Sequence, residues 1–245
     1  MINMFKHKLK SFFGQKTLTK AQILNEFKNK KGLEIGGPSN IFKPPFALPI
    51  YTLAKSIDNV NYSNQTIWEG DIANTKFEYY ENKLGKQYIL EASELTYIKS
   101  DSYDFLISSH CLEHCANALK TIDEWIRVVK KGGLLLIIVP KKELTFDHRR
   151  PTTTYNHLVD DLTKNVSEDD LTHLPEIIRL HDLERDLAAG DIAMFSQRSK
   201  KNFENRGLHH HVFDIPLLEQ IFKKNKLTTL YTLVDGMNLI IIGKK

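Results

Sequence analysis

Residues 103–140 read YDFLISSHCLEHCANALKTIDEWIRVVKKGGLLLIIVP, and this stretch decides the architecture. Its first seven residues, 103–109, are mostly apolar and predict a buried strand. From His110 to Lys130, the residues Leu112, Ala116, Leu119, Ile122, Trp125 and Ile126 recur at helical intervals and predict a long helix. Gly132 and Gly133 are expected to end that helix, because glycine enters the left-handed region at little cost. A second apolar run, GLLLIIVP at 133–140, predicts the next strand. Strand, helix, glycine turn and strand make a βαβ unit, so the strands should be parallel with helices covering the sheet.

Upstream, KGLEIGG from Lys31 reads as a short buried strand running into a glycine turn, and LAKSIDNV (53–60) and QYILEA (87–92) read as two further strands. Downstream, Ile215 to Asn225 predicts a helix, followed by strands at 226–234 and 237–243 around Asp235-Gly236. That dipeptide favours a hairpin, so the last strands should be antiparallel. The polar segment 141–206 interrupts this order and is expected to form a helical lid over the strands' C-terminal edge, where open α/β sheets bind ligands. The expectation is an α/β fold: a Rossmann-like, mostly parallel sheet with an antiparallel last strand, helices on both faces, and a lid insertion. Residues 1–30 would be basic N-terminal helices, 31–140 and 207–245 the core, and 141–206 an acceptor-binding lid within the same domain.

Composition agrees with a globular protein. With 41% hydrophobic and 26% charged residues, the 245-residue chain is neither a disordered polymer nor a fibre nor a rod. Its longest apolar run, Leu134 to Pro140, is far below the ~20 residues of a membrane-spanning helix. Cys111 and Cys115 are too few for a disulfide scaffold, and no secretory signal pattern is visible, so a reducing, cytoplasmic setting is expected. The net charge of +4 divides unevenly: residues 1–31 carry eight lysines and one acid, and the remainder is slightly acidic. Phe5, Leu9, Phe12 and Phe13 lie at helical spacing among those lysines. Such a helix either packs its aromatic face on the domain or makes peripheral contact with an anionic inner-membrane surface. Nothing points to nucleic acid.

The cofactor argument rests on GLEIGGPSN, 32–40. Glu34 places a carboxylate at a strand's exit, and Gly36 and Gly37 let bare backbone approach a ligand. Asp58, expected to end the second strand, could accept both hydroxyls of a ribose, and Glu91 ends the third. A dinucleotide-binding dehydrogenase would require GxGxxG, and no third glycine follows Gly37 until Gly70.

With these residues in place, the chain resembles the class I S-adenosylmethionine-dependent methyltransferases, type 11-like, whose fourth strand and helix read approximately SxxLEH before a GG turn. The matching residues are ISSHCLEHCANALKTIDEWIRVVKKGGLLLIIVP (107–140) and LEIGGPSN (33–40). The strings SIDNVNYSNQTIWEG, FDHRRPTTT, EDDLTHLPE and NFENRGLHHHVFD resemble a bacterial subgroup associated with surface-polysaccharide (capsule) synthesis. The resemblance implies that Glu34, Gly36 and Gly37 flank the amino acid part of S-adenosyl-L-methionine. It implies also that Asp58 holds the ribose, that Glu91 and Ala92 lie beside the adenine, and that Ser109 and His110 sit near the sulfonium. Pro38 and Ser39 depart from the usual alternating glycines, although the proline belongs to the subgroup's pattern.

The acceptor side is read from histidine. Seven of the ten histidines fall between 148 and 211. Removing a proton from a sugar hydroxyl at neutral pH suits imidazole, so His110 or His148, oriented by Asp147, is a candidate general base. A divalent metal on His148, His209 and His211 is the competing reading. Arg149 and Arg150 could bind the phosphate of a nucleotide-sugar or lipid-linked sugar, with His210 near the same acceptor. His114 beside Glu113, and the two cysteines, read as structural. Tyr51, Tyr62 and Trp68 read as core or as an acceptor wall. The expected function is O-methylation of a polar, sugar-type small molecule. The alternatives are a non-catalytic or membrane-associated methyltransferase-like scaffold, and a metal-dependent hydrolase.

Overall fold

In the computed structural model, residues 18–66, 70–72 and 76–245 are described. The expected aromatic helix of residues 1–17, and Trp68, lie outside them.

Ten strands occur among the described residues: β1 Lys31–Ile35, β2 Ser56–Asn61, β3 Gln65–Thr66, β4 Gly70–Asp71, β5 Lys76–Tyr80, β6 Lys83–Ile89, β7 Tyr103–Ser109, β8 Val129–Pro140, β9 Thr228–Asp235 and β10 Asn238–Lys244. Eight of them form one sheet in the order β5-β6-β2-β1-β7-β8-β10-β9. β6, β2, β1, β7 and β8 run parallel, and β10 is antiparallel to both β8 and β9. The Rossmann-like arrangement expected from the sequence is therefore present. Strand order reverses between β1 and β7, which opens a crevice at their C-terminal ends.

Alternate residues of the sheet supply two cores. Leu33, Leu106, Leu135, Ile137 and Ile241 face α3 (Ala118–Val128) and α8 (Ile215–Lys224), where Trp125, Leu218 and Phe222 are buried. Ile57, Phe105, Ile107, Leu136 and Ile240 face the opposite layer, around Phe27, Phe42 and Tyr51. That layer includes α1 (Lys20–Asn25), begun by a Thr19–Gln22 capping box, and α2 (Ile50–Leu53). Period-2 burial on a two-sided sheet produces the near-continuous apolar runs seen in β7 and β8.

Several local expectations change. The predicted helix at 110–130 is broken: a 3₁₀ turn at Leu112–His114 precedes α3, which is capped by Asn117 accepting from the Lys120 amide. The break orients Glu113 and His114 independently of α3. Gly132 and Gly133 do not end the helix, which stops at Val128; Gly132, with φ of +79°, lies inside β8. The third strand runs 83–89, so Glu91 follows it, and it pairs with an additional antiparallel strand, β5. In the final hairpin Asp235 pairs with Asn238, so the turn is Gly236-Met237 and not Asp235-Gly236.

Segment 141–206 contains α4 (Tyr155–Lys164), α5 (Leu174–Leu180), α6 (Ile192–Ser199) and α7 (Asn202–Asn205). It has a small core of its own from Leu174, Ile177, Ala189 and Phe195, closed by Leu208.

Candidate active site

The crevice at the switch point is a cavity of about 870 Å³. Its floor comes from the chain leaving four parallel strands: Gly36 after β1, Asn61 in β2, Glu91 and Ala92 after β6, and Ser109 and His110 at the end of β7. Its roof is Phe146, Glu168, Asp186, Arg198 and Arg206 from the insertion, with His209 from the return segment.

The loop after β1 is shaped by a buried acid. Glu34 is fully buried and accepts from the Tyr51 hydroxyl at 2.6 Å, the Ser39 hydroxyl at 2.7 Å and the Ser39 amide at 3.1 Å. A Cβ on Gly37 would sit 2.3 Å from that carboxyl carbon, so only glycine lets the loop fold down on it. Gly36 has φ of +78° and leaves bare backbone at the cavity wall. The Gly37 amide donates to the Asn59 side chain, which in turn donates back to the Gly37 carbonyl. Glu34 thus braces the loop, while Gly36, Pro38 and Ser39 form the lining.

Asp58 is not brought to the cavity. It pairs across β1 with Leu33, three residues before the end of β2. Its carboxylate accepts from the Tyr103 hydroxyl at 2.8 Å and the Lys86 amide at 2.9 Å, and pairs with Lys31 at 3.0 Å. Because Ile35 pairs with Val60, the residue beside Gly36 is Asn61, and it lines the cavity. Counting the register from the glycine turn, instead of searching for the nearest acid, would have found it. Glu91 does line the cavity, held by Arg206 at 2.7 Å.

Asp147 orients a different histidine from the one expected. His209 Nδ1 donates to Asp147 Oδ2 at 2.5 Å, and Arg150 holds Asp147 Oδ1 at 3.0 Å. Burial opposes ionisation of Asp147, yet His209 and Arg150 together hold it down at about 2. Burial likewise works against a charged His209, but Asp147 and then Glu113 raise it above the ordinary histidine value. His148 instead bonds Asp182 at 2.7 Å, outside the cavity lining. His110 lines the cavity with Nε2 at 2.8 Å from Asn238 Oδ1.

Four further expectations are corrected. Arg150 is buried, and its guanidinium is spent on Asp147, Glu176 and the carbonyls of His209 and His210, so it braces this corner and is closed to a phosphate. Arg149 pairs with Asp182 and does not line the cavity. His210 is buried against Asn202 at 2.9 Å, away from the cavity lining. His148, His209 and His211 do not converge: each meets a different aspartate, Asp182, Asp147 and Asp161. Alternation along an extended segment put His209 and His211 on one face, but the buried aspartates draw their rings into separate clusters.

Two acids were missed. Glu113 is almost completely buried, neither carboxyl oxygen has a hydrogen-bond partner, and burial raises its pKa. Its carboxylate, His114 and His209 offer atoms within 4.8 Å of one another. Glu168 accepts from the Ala116 amide, and burial followed by repulsion from Glu91 pushes it up to about 7. Tyr62 and Cys111 also line the cavity, whereas Tyr51 belongs to the core.

A methyltransferase domain family model matches residues 5–231. The chain belongs to the methyltransferase domain family. Its fold is shared by a S-adenosylmethionine dependent methyltransferase from Mesorhizobium loti, 10% identical, with 92% of this chain and 95% of that one covered at a TM-score of 0.52. A proposed S-adenosylmethionine dependent methyltransferase from Listeria monocytogenes is 14% identical, with 92% and 97% covered at 0.50. A search of curated proteins found no sequence match. Family and fold agree on a methyltransferase domain. No helix among the described residues is long and apolar enough to cross a membrane.

Proposed function

We propose that this methyltransferase transfers a methyl group to a hydroxyl oxygen of a polar, sugar-type acceptor, with His209 as general base. The observation that carries this reading is His209, bonded to Asp147 and standing on the wall of the cavity that also contains the Gly36 loop. S-adenosylmethionine, when bound, supplies a methyl group on a positively charged sulfur. The residues present suit it: bare backbone at Gly36, an amide side chain at Asn61, and a carboxylate at Glu91 after the third parallel strand.

An acceptor hydroxyl must lose its proton as the oxygen attacks the methyl carbon and the carbon–sulfur bond breaks. With Nδ1 donating to Asp147, Nε2 of His209 is the atom that takes that proton. Asp147 stabilises the imidazolium that results. Holding donor and acceptor in line supplies the remainder, worth up to ~7–11 kcal/mol in favourable cases. A sugar-type acceptor is supported by the polar roof, where Glu168, Asp186, Arg198 and Arg206 offer hydrogen bonds to hydroxyls. A part in surface-polysaccharide synthesis rests on the sequence resemblance.

The test is calorimetric titration with S-adenosylhomocysteine, followed by labelled-methyl transfer to panels of free sugars, nucleotide-sugars and lipid-linked sugars. Transfer to a hydroxyl that drops at least ~10²-fold in His209→Gln supports the reading. Transfer unaffected by that substitution, or directed only to amines, removes it.

A further inference from the structure

Outside the cavity, four side chains from three elements of the insertion and its return meet at one point. His157 and Asp161 lie one turn apart on α4, His173 precedes α5, and His211 lies on the extended segment that re-enters the core. His157 Nε2 is 2.7 Å from His173 Nε2 and 3.4 Å from Asp161 Oδ2, and His211 Nε2 is 3.0 Å from the same oxygen. Each residue offers one ligand atom, and the four atoms lie within 4.8 Å of one another. None of the four lines the large cavity.

We infer that His157, Asp161, His173 and His211 form a closed, four-ligand site for a zinc ion that pins the insertion to the core. Three imidazoles and one carboxylate are a borderline-soft nitrogen and oxygen set, suited to Zn²⁺ over Mg²⁺ or Ca²⁺. A tetrahedron with bonds of about 2.0–2.1 Å has edges of about 3.3 Å, which the spacings bracket. The rings meet edge to face: 77° between His157 and His173, 71° between His173 and His211, and 63° between His157 and His211. Inclined rings let three lone pairs converge, whereas stacked rings would not.

The surroundings agree. Asp170 Oδ2 stands 3.7 Å from His173 Nδ1, where an outer carboxylate can steady a ligating ring. Four protein ligands complete a tetrahedron, so the ion would be structural, with no position open for substrate. Its position explains why an insertion with a small core of its own holds a defined shape. It also anchors the return segment two residues beyond His209.

The test uses the full chain made without a polyhistidine tag. Elemental analysis after zinc reconstitution and desalting should find about one zinc per chain, and cobalt substitution should give the intense visible absorption of a tetrahedral ion. His157→Gln with His173→Gln should cut bound zinc at least tenfold, while Glu113→Gln with His114→Gln leaves it in place. Reconstituted wild-type protein without stoichiometric zinc overturns the inference, and this holds even if the double variant does not fold. Zinc retained by the first pair and lost with the second also overturns it, by placing the ion in the cavity.

Discussion

His209 Nδ1 lies 2.5 Å from Asp147 Oδ2, a contact between residues 62 positions apart that joins the loop after β8 to the segment returning from the insertion. Folding the insertion is therefore what assembles the proposed base. Arg150 locks the joint by bonding Asp147 together with the His209 and His210 carbonyls.

Removing the aspartate's charge should reverse the sign of the His209 shift. Burial alone lowers a histidine pKa, and Asp147 is the chief group raising this one. In Asp147→Asn, the His209 pKa measured by NMR titration should fall from above the ordinary value to below it. Turnover should drop by ~10²-fold or more. A His209 titration that stays in place would show that the carboxylate does not govern this imidazole.

Gly37→Ala should damage the loop through Glu34. The added methyl would lie 2.3 Å from a carboxyl carbon held by Tyr51 and Ser39, so the loop must lift. Overpacking of this kind costs about 1–3 kcal/mol, readable by urea denaturation. Affinity for S-adenosylhomocysteine should weaken at least tenfold, and full affinity would mean that the loop does not touch the ligand.

Asp58 and Asn61 can be separated by substitution. Asp58→Asn disturbs contacts to Tyr103, Lys86 and Lys31, and should cost about 1–3 kcal/mol of stability. S-adenosylhomocysteine affinity should remain within about twofold, because one wall of the cavity is Asn61. Asn61→Ala should show the opposite pattern. Calorimetry on both variants decides, and a large affinity loss in Asp58→Asn would reinstate the acid as a ligand.

Glu168 predicts a pH dependence. Its folded-state pKa of about 7 lies above the ordinary 4.5, so the native state holds the extra proton. The associated stability is fully present below about 4.5 and is lost as pH rises through about 7, on the order of 3 kcal/mol in total. Denaturation of the unliganded chain across that window should show the decline. Glu168→Gln should flatten it, and a slope that survives the substitution would assign it to another group.

Much of the sheet was legible because burial on both faces leaves long apolar runs, as in β7 and β8, and a strand–helix–strand order admits few topologies. The glycine turn after β1 was legible for the same local reason: positive φ at Gly36 and close approach at Gly37 leave little choice of residue. β5 was not, because its alternation, with Phe77 and Tyr79 buried between exposed Lys76 and Glu78, spans only five residues.

The chain's linear pattern settled the fold class, the position of the glycine loop and the crowding of histidines between 148 and 211. Which histidine meets which acid was decided only by the tertiary structure. Hydrophobic periodicity is a local property, imposed by the repeat of a helix or strand. The partner of a polar side chain depends instead on contacts between distant segments: Asp147 with His209, Asp161 with His211, Asp182 with His148. Each of these three aspartates finds its donor as water is excluded, and the packed insertion determines which one is within reach.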